Sequence, residues 1–83
     1  MPRYYFHIHD GEASPDLVGT ELANDAAARE EAIVTTGAVL RDSGSRFWNN
    51  QDWSMRVETE AGVTVCELRV SGKRSMIEPR RRA

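Results

Sequence analysis

The chain has 83 residues, and its 11 basic and 13 acidic side chains leave a net charge of −2. This length corresponds to about one domain, which excludes paired domains and large cofactor-binding folds. No apolar run is long enough to cross a membrane, and the single cysteine, Cys66, cannot form an internal disulfide. The N-terminus lacks the apolar core of a secretory signal, so we expect a cytoplasmic protein.

Charge is distributed unevenly along the chain. Residues 1–70 carry six basic and twelve acidic side chains, whereas residues 71–83 carry five basic and one acidic. Hydrophobic periodicity also ends at about residue 71. We therefore expect a single domain over residues 1–70, followed by a basic flexible tail over residues 71–83.

The first predicted strand covers residues 3–9, where apolar and polar side chains alternate. Its two faces are Tyr4, Phe6 and Ile8 on one side, and Arg3, Tyr5, His7 and His9 on the other. Asp10 and Gly11 signal a turn after this strand. Residues 12–22 show no clear period, although residues 19–22 could form a short edge segment.

A helix is predicted from Asp25 to Asp42, with Asn24 as its N-cap and Gly44 at the position that ends it. One stripe of the helix should face the sheet, with Ile33 at its margin: Ala28, Ala32, Thr36, Val39 and Leu40. Gly37 is costly inside a helix, which suggests a close packing approach or a slight bend there.

A hairpin follows, with its turn at residues 60–62. Its first strand alternates cleanly, with Trp53, Met55, Val57 and Thr59 on the apolar face. Its second strand is ambiguous, but one choice of face would bury Glu67 and Arg69. We therefore expect the other set to face the core: Thr64, Cys66, Leu68 and Val70.

The element order strand, helix, strand, strand predicts an α+β protein. We expect a two-layer sandwich, in which one helix covers one face of a three-stranded, mainly antiparallel sheet. The third predicted strand should lie beside the first, which makes every pair antiparallel. The alternative is a parallel pairing of the first and second predicted strands, with the helix as a right-handed crossover.

The opening residues Met1 to Gly11, which read M-P-R-Y-Y-F-H-I-H-D-G, resemble a bacterial family of short proteins classed as a domain of unknown function. Further similar features are the segment at residues 19–22, the start of the helix and the closing hairpin. The resemblance covers about residues 2–70 and leaves the basic tail outside. Because the family has no established activity, the resemblance implies domain limits and no mechanism.

His7 and His9 are the most suggestive pair for chemistry, because side chains two apart in a strand share a face and could bind one metal ion. A zinc site needs at least one more protein ligand, and the sequence has no third histidine. Cys66 should lie on the opposite face, which leaves Asp10, Glu58 or Glu67 to supply an oxygen. No nucleophile or phosphate-binding motif accompanies the pair, so we expect neither a cofactor nor catalysis.

The face of the sheet without a helix is the predicted binding surface. It combines an aromatic ring, histidines and valines, which is more than solubility requires. The candidate binding residues are Tyr5, His7, His9, Arg56 and Val65 on this face, and Trp48 in the loop before the hairpin. We expect a small non-catalytic module that associates with itself, through this face or a sheet edge, or with another protein.

The alternative hypothesis is a nucleic-acid-associated regulator that uses the basic tail. The residues that would contact nucleic acid are Lys73, Arg74, Arg80, Arg81 and Arg82. These charges are not interleaved with aromatic residues, so binding would be weak and sensitive to salt. A third hypothesis is a histidine-based metal or catalytic site at His7 and His9.

Overall fold

The computed structural model describes residues 1–49 and 52–75. The elements are β1 (Arg3–His9), β2 (Ala13–Ser14), β3 (Thr20–Glu21), α1 (Asp25–Ser43), a 3-10 helix (Gly44–Asn49), β4 (Asp52–Thr59) and β5 (Thr64–Ser71). The five strands form one antiparallel sheet, and α1 packs on β4 and β5. The protein is therefore α+β, as expected. The sheet has more strands than the three expected, because residues 12–22 contribute two short strands.

The preferred strand order is wrong, and the alternative is right about the neighbours β1 and β4 but wrong about their direction. β4 lies in the centre of the sheet, between β1 and β5, and both of its pairings are antiparallel. The cause is the return segment, which we define as residues 10–22. It runs back along β1, where β2 pairs with the end of that strand and β3 with its beginning. The helix therefore leaves from the end of the sheet at which β1 begins, and β4 must run opposite to β1.

The alternation predicted for β1 is confirmed. The buried core combines side chains from β1, α1 and β4: Tyr4, Ala28, Ala32, Trp53, Met55 and Val57. Phe6 and Ile8 are partly buried and pack against this core. The buried Tyr4 hydroxyl donates a 2.7 Å hydrogen bond to Asp25 Oδ1, which raises the pKa of Tyr4 and ties β1 to the first turn of α1.

The predicted ends of the helix are also confirmed. The Asn24 side chain accepts a hydrogen bond from the Ala27 N–H, and Gly44 ends the helix with φ 54°. Of the two explanations for Gly37, the close packing approach is wrong, because a Cβ there would meet no atom outside the neighbouring helix backbone within 4 Å. No helix among the described residues is long and apolar enough to span a membrane.

A β-bulge changes the alternation at the start of β5. The register places Cys66 opposite Val57 but Thr64 opposite Glu58, so one extra residue, Val65, lies between the two pairs. Thr64 therefore shares the open face with Glu58, and the expectation that it faces the core is wrong. From Cys66 onward the predicted faces are correct, because Leu68 lies opposite the buried Met55.

Candidate functional site

The open face is the side of the sheet that α1 does not cover, and its side chains form short rows across β1, β4 and β5. The central row contains His7, Arg56 and Glu67, which lie directly opposite one another in the register. The row above it contains Tyr5 and Glu58, and the row below contains His9 and Ser54. The structure therefore brings four predicted binding residues together on this face: Tyr5, His7, His9 and Arg56.

Asp16, in the return segment, joins that segment to β1. Its carboxylate accepts three backbone hydrogen bonds, from Phe6 at 3.1 Å and from Val18 and Gly19 at 3.0 Å each. The Phe6 N–H is on the outer side of β1, at a point where neither β2 nor β3 pairs with the strand. Asp16 therefore replaces a missing strand partner with its side chain.

The pKa of the Asp16 carboxyl results from opposing effects. Burial raises it, but the hydrogen bonds from Gly19, Phe6 and Val18 and the nearby His7 outweigh burial, so the pKa lies below its ordinary value. Asp16 is consequently an anion at neutral pH. Its charge holds the return segment on β1.

Both ring nitrogens of His7 have partners. The Asp16 N–H donates to His7 Nδ1 at 3.1 Å, so Nδ1 carries a lone pair and the proton of the neutral ring lies on Nε2. His7 Nε2 faces Glu58 Oε1 at 3.3 Å. The ring also stacks on Tyr5, with 6.4 Å between the ring centroids and 10° between the planes. The tautomer and the orientation of His7 are thus set by three neighbours.

Glu58 completes this network. Its second oxygen, Oε2, lies 2.7 Å from Arg56 Nε. We call the connected side chains of Tyr5, His7, Asp16, Arg56 and Glu58 the His7 cluster. Glu58 is largely shielded from solvent, whereas the Arg56 side chain is 52% exposed and can offer its terminal nitrogens to another molecule.

A groove of about 460 Å³ runs along the His7 cluster. Both histidines, Arg56 and Glu58 line it from the sheet, and Ser14 and Pro15 line it from the return segment. The charges in its wall are largely paired with each other. The groove therefore offers hydrogen-bond donors and acceptors for contact rather than a strong field for a charged ligand.

The described residues bring no third metal ligand to the two histidines. Among residues 1–49 and 52–75, no three side chains of His, Cys, Asp or Glu come together as ligands. His7 would have to give up its contact with the Asp16 N–H or with Glu58 before it could bind a metal. Cys66 lies on the helix side of the sheet, and burial raises the pKa of its thiol, although Arg29 opposes this rise. A raised pKa leaves that thiol a poor nucleophile at neutral pH.

Two predicted binding residues lie away from the His7 cluster. Val65 is the bulge residue, and it is partly buried against the core, so its placement on the open face is wrong. Trp48 lies in the 3-10 helix, where its ring meets Phe47 edge to face at 5.6 Å. Both rings lie against Gly72, just beyond β5, and a Cβ at Gly72 would approach them to 2.6 and 2.8 Å. Trp48 thus covers this end of the core, while 38% of its surface remains exposed.

The tail residues belong mostly to the part of the chain that the structure does not describe. Lys73 and Arg74 are described and exposed. Arg80, Arg81 and Arg82 lie outside the described residues. The tail's contact with nucleic acid stays a prediction.

Sequence reasoning missed Asp16 as a member of the site, and it gave Glu58 only as one of three acids that could supply an oxygen beside the histidines. Asp16 had a signal, because an aspartate between Pro15 and Gly19 is typical of a turn in which the side chain accepts backbone N–H groups. Glu58 had only its place on the polar side of a strand. Its contact with His7 required the register of β1 against β4, which the sequence does not contain.

The fold and the His7 cluster define a small α+β protein with a helix on one face of its sheet and a hydrogen-bonded polar network on the other. The chain belongs to a family described as a domain of unknown function, DUF6894, whose model matches residues 3–71. The match ends where β5 ends. No curated protein and no solved structure matches the chain.

Proposed function

We propose that this protein is a non-catalytic interaction module that associates with itself. The supporting observation is that the polar groups of the His7 cluster are used by one another. Both nitrogens of His7 and both carboxylate oxygens of Glu58 have partners within the chain. A cluster whose acids and bases are already paired is suited to binding a surface rather than to moving protons.

The shape of the molecule supports the same proposal. One helix covers one face of the sheet, and large apolar side chains remain exposed on the helix and the return segment. Ile33 and Val34 are 60% and 61% exposed, and Leu17 and Val18 are 86% and 74% exposed. These side chains are available for burial against another molecule.

The test is a concentration series of the full chain by sedimentation velocity and light scattering. We expect the mean mass to rise from that of the monomer toward that of a dimer or higher oligomer as concentration approaches ~100 µM. A chain that stays monomeric across the whole series contradicts the proposal.

The nucleic-acid alternative has support from charge, since residues 71–83 carry five basic side chains and one acidic. Its test is deletion of residues 73–83, which leaves β5 and the contacts of Gly72 with Phe47 and Trp48 in place. Binding of the full chain to RNA or DNA at low salt, and its loss in the deletion, would favour this alternative. Equal behaviour of the two chains would remove it.

A further inference from the structure

The outer edge of β5 has no strand partner among the described residues. Which of its groups face outward follows from the register. The Phe6 N–H points away from β4, so the main-chain groups of the neighbouring residue His7 point toward β4 and meet those of Arg56. Along β4 the direction of the main-chain groups alternates, so those of Met55 point toward β5 and meet those of Leu68. The main-chain N–H and C=O groups of Glu67, Arg69 and Ser71 therefore point outward.

The two charged side chains on this edge have no ion pair in the described part of the chain. Glu67 lies directly opposite Arg56, but Arg56 is paired with Glu58 instead. Arg69 lies opposite Ser54. The bare edge thus presents an unpaired negative charge and an unpaired positive charge two residues apart.

We propose that two copies of this chain pair along their β5 edges, antiparallel, about a two-fold axis that passes beside Leu68. This inference rests on the proposed self-association and names its surface. In this register Glu67 lies opposite the partner's Arg69, and each such pair exchanges two main-chain hydrogen bonds. Leu68 meets the partner's Leu68, and Cys66 meets the partner's Val70.

The charges select this register over its neighbours. A shift that brings Glu67 opposite the partner's Glu67, or Arg69 opposite the partner's Arg69, would place like charges in direct contact across the strands. The pairing at Leu68 instead forms two opposite-charge pairs by symmetry. It also uses nearly the whole length of β5.

The helix fits the same dimer. Neighbouring strands lie ~4.8 Å apart, and the two-fold axis lies halfway between the two β5 strands. Because α1 packs over β4 and β5, a helix midway between these strands lies ~5 Å from the axis. The two helices would then be ~10 Å apart, which is an ordinary distance for packed helices. We place the Arg29 side of the helix toward β5, because α1 packs on β5 and the Arg29 charge lowers the pKa of the Cys66 thiol on that strand.

Ile33 is the residue that this geometry brings to the axis. It lies one turn beyond Arg29 on the same side of α1. Leu68 lies two strand residues, or ~6.6 Å, beyond Cys66. Four helix residues span about the same distance, so Ile33 lies level with Leu68 if Arg29 lies level with Cys66. Ile33 is 60% exposed. Gly37, one helical turn later on the same side, has no side chain and no neighbouring segment of the described chain packed against it, which leaves room for a partner helix. The dimer would bury Ile33 against the partner helix.

The first test reverses the two charges. We expect Glu67→Arg and Arg69→Glu each to weaken the dimer by ~10- to 100-fold, because each change creates two like-charge contacts. The double variant Glu67→Arg/Arg69→Glu restores the opposite-charge pairs and should return to within ~3-fold of the original affinity. Glu30→Arg and Arg41→Glu, on exposed parts of α1, alter the net charge equally and should leave the affinity unchanged.

A second test uses the matched pair Ile33 and Val34, which are equally exposed but ~100° apart around the helix. We expect Ile33→Ser to weaken the dimer by ~10-fold, since it removes an apolar contact in each copy. Val34→Ser should have no effect. Equal effects of the two changes would contradict the helix contact.

A third test reads the register directly. Val70→Cys places a thiol opposite the partner's Cys66, at a pair whose Cα separation suits a disulfide. We expect a covalent dimer on mild oxidation, and none from Cys66→Ser/Val70→Cys. Within one chain the two positions are four residues apart on a strand, which is too far for a bond.

The outcomes separate the two proposals. An original chain that stays monomeric contradicts the proposed function and this inference together. Suppose instead that the original chain associates and that the single charge reversals, shown by circular dichroism to be folded, associate equally well. That result contradicts the β5 edge and leaves the proposed self-association standing. If a reversal unfolds the chain, the oxidation test decides: failure of Val70→Cys to form a covalent dimer overturns the register.

Discussion

The two outer edges of the sheet differ in how their main-chain groups are satisfied. Along β1, the return segment supplies β2 at one end, β3 at the other, and the Asp16 carboxylate between them. Along β5, no part of the described chain pairs with the edge. Proteins usually protect both edges of a sheet from other chains. Here the chain protects one edge with its own residues, and the described residues leave the other edge without a strand partner.

The largest effect should come from removing the anchor of the covered edge. Asp16→Ala removes the acceptor of the N–H groups of Phe6, Val18 and Gly19. It also weakens the hydrogen bond from the residue 16 N–H to His7 Nδ1, because the return segment is then held less firmly. We expect the free energy of unfolding in urea to fall by ~2–4 kcal/mol, since hydrogen bonds to a charged group are the strong ones.

Asp42→Ala is the control for that change, because Asp42 is an exposed acid near the end of α1. It should alter stability by less than ~0.5 kcal/mol. A similar loss in both variants would show that Asp16 acts only through net charge, and would remove the contrast between the edges.

The next effect concerns Gly19, which lets the return segment approach β1. Its φ is 77°, and a Cβ there would lie 2.8 Å from Arg3 Cγ and 2.9 Å from Tyr5 Cε2. We expect Gly19→Ala to lower the free energy of unfolding by ~1–3 kcal/mol, through backbone strain and crowding together. Gly37→Ala, which meets nothing within 4 Å, should raise it by ~0.5–1 kcal/mol. Both unfolding free energies should be measured at low protein concentration, where the chain is monomeric.

Acid should loosen the covered edge through Asp16. Its pKa in the folded protein lies below the ordinary value of 3.8, so the stability it contributes is complete above that value and is lost as pH falls through the folded pKa. The measurement is the difference in unfolding free energy between the original chain and Asp16→Asn. We expect this difference to be constant from about pH 7 to 5 and to shrink below about pH 4. A difference that does not change with pH would contradict the role of the charge.

The smallest effect should appear in amide hydrogen exchange, and it compares the two edges within one molecule. The Phe6 amide should exchange slowly at every protein concentration, because Asp16 holds it. The amides of Glu67 and Arg69 should exchange quickly in dilute solution and more slowly as concentration rises, because association covers them. Concentration-independent exchange at all three amides would show that the β5 edge stays bare.

The open face shows how far the sequence could predict the site. The alternation of β1 placed Tyr5, His7 and His9 together, and the structure confirms this placement because the pleat of a strand is a local property. Val65 was placed wrongly, since a bulge adds one residue and reverses the faces before it. The contact of His7 with Glu58 could not be predicted either, because it joins two strands whose adjacency depends on the path of the chain between them.

Local sequence was enough to predict the helix with its Asn24 and Gly44 caps, the closing hairpin and the inward face of β1. These features arise from the periodicity and the local backbone preferences of neighbouring residues. Three features depend on long-range contacts: β4 lies antiparallel beside β1, Asp16 occupies the gap in the covered edge, and no described residue pairs with the outer edge of β5. These outcomes depend on contacts between distant segments, whose energies are small individually and become favourable only once the return segment has reversed the direction of the chain.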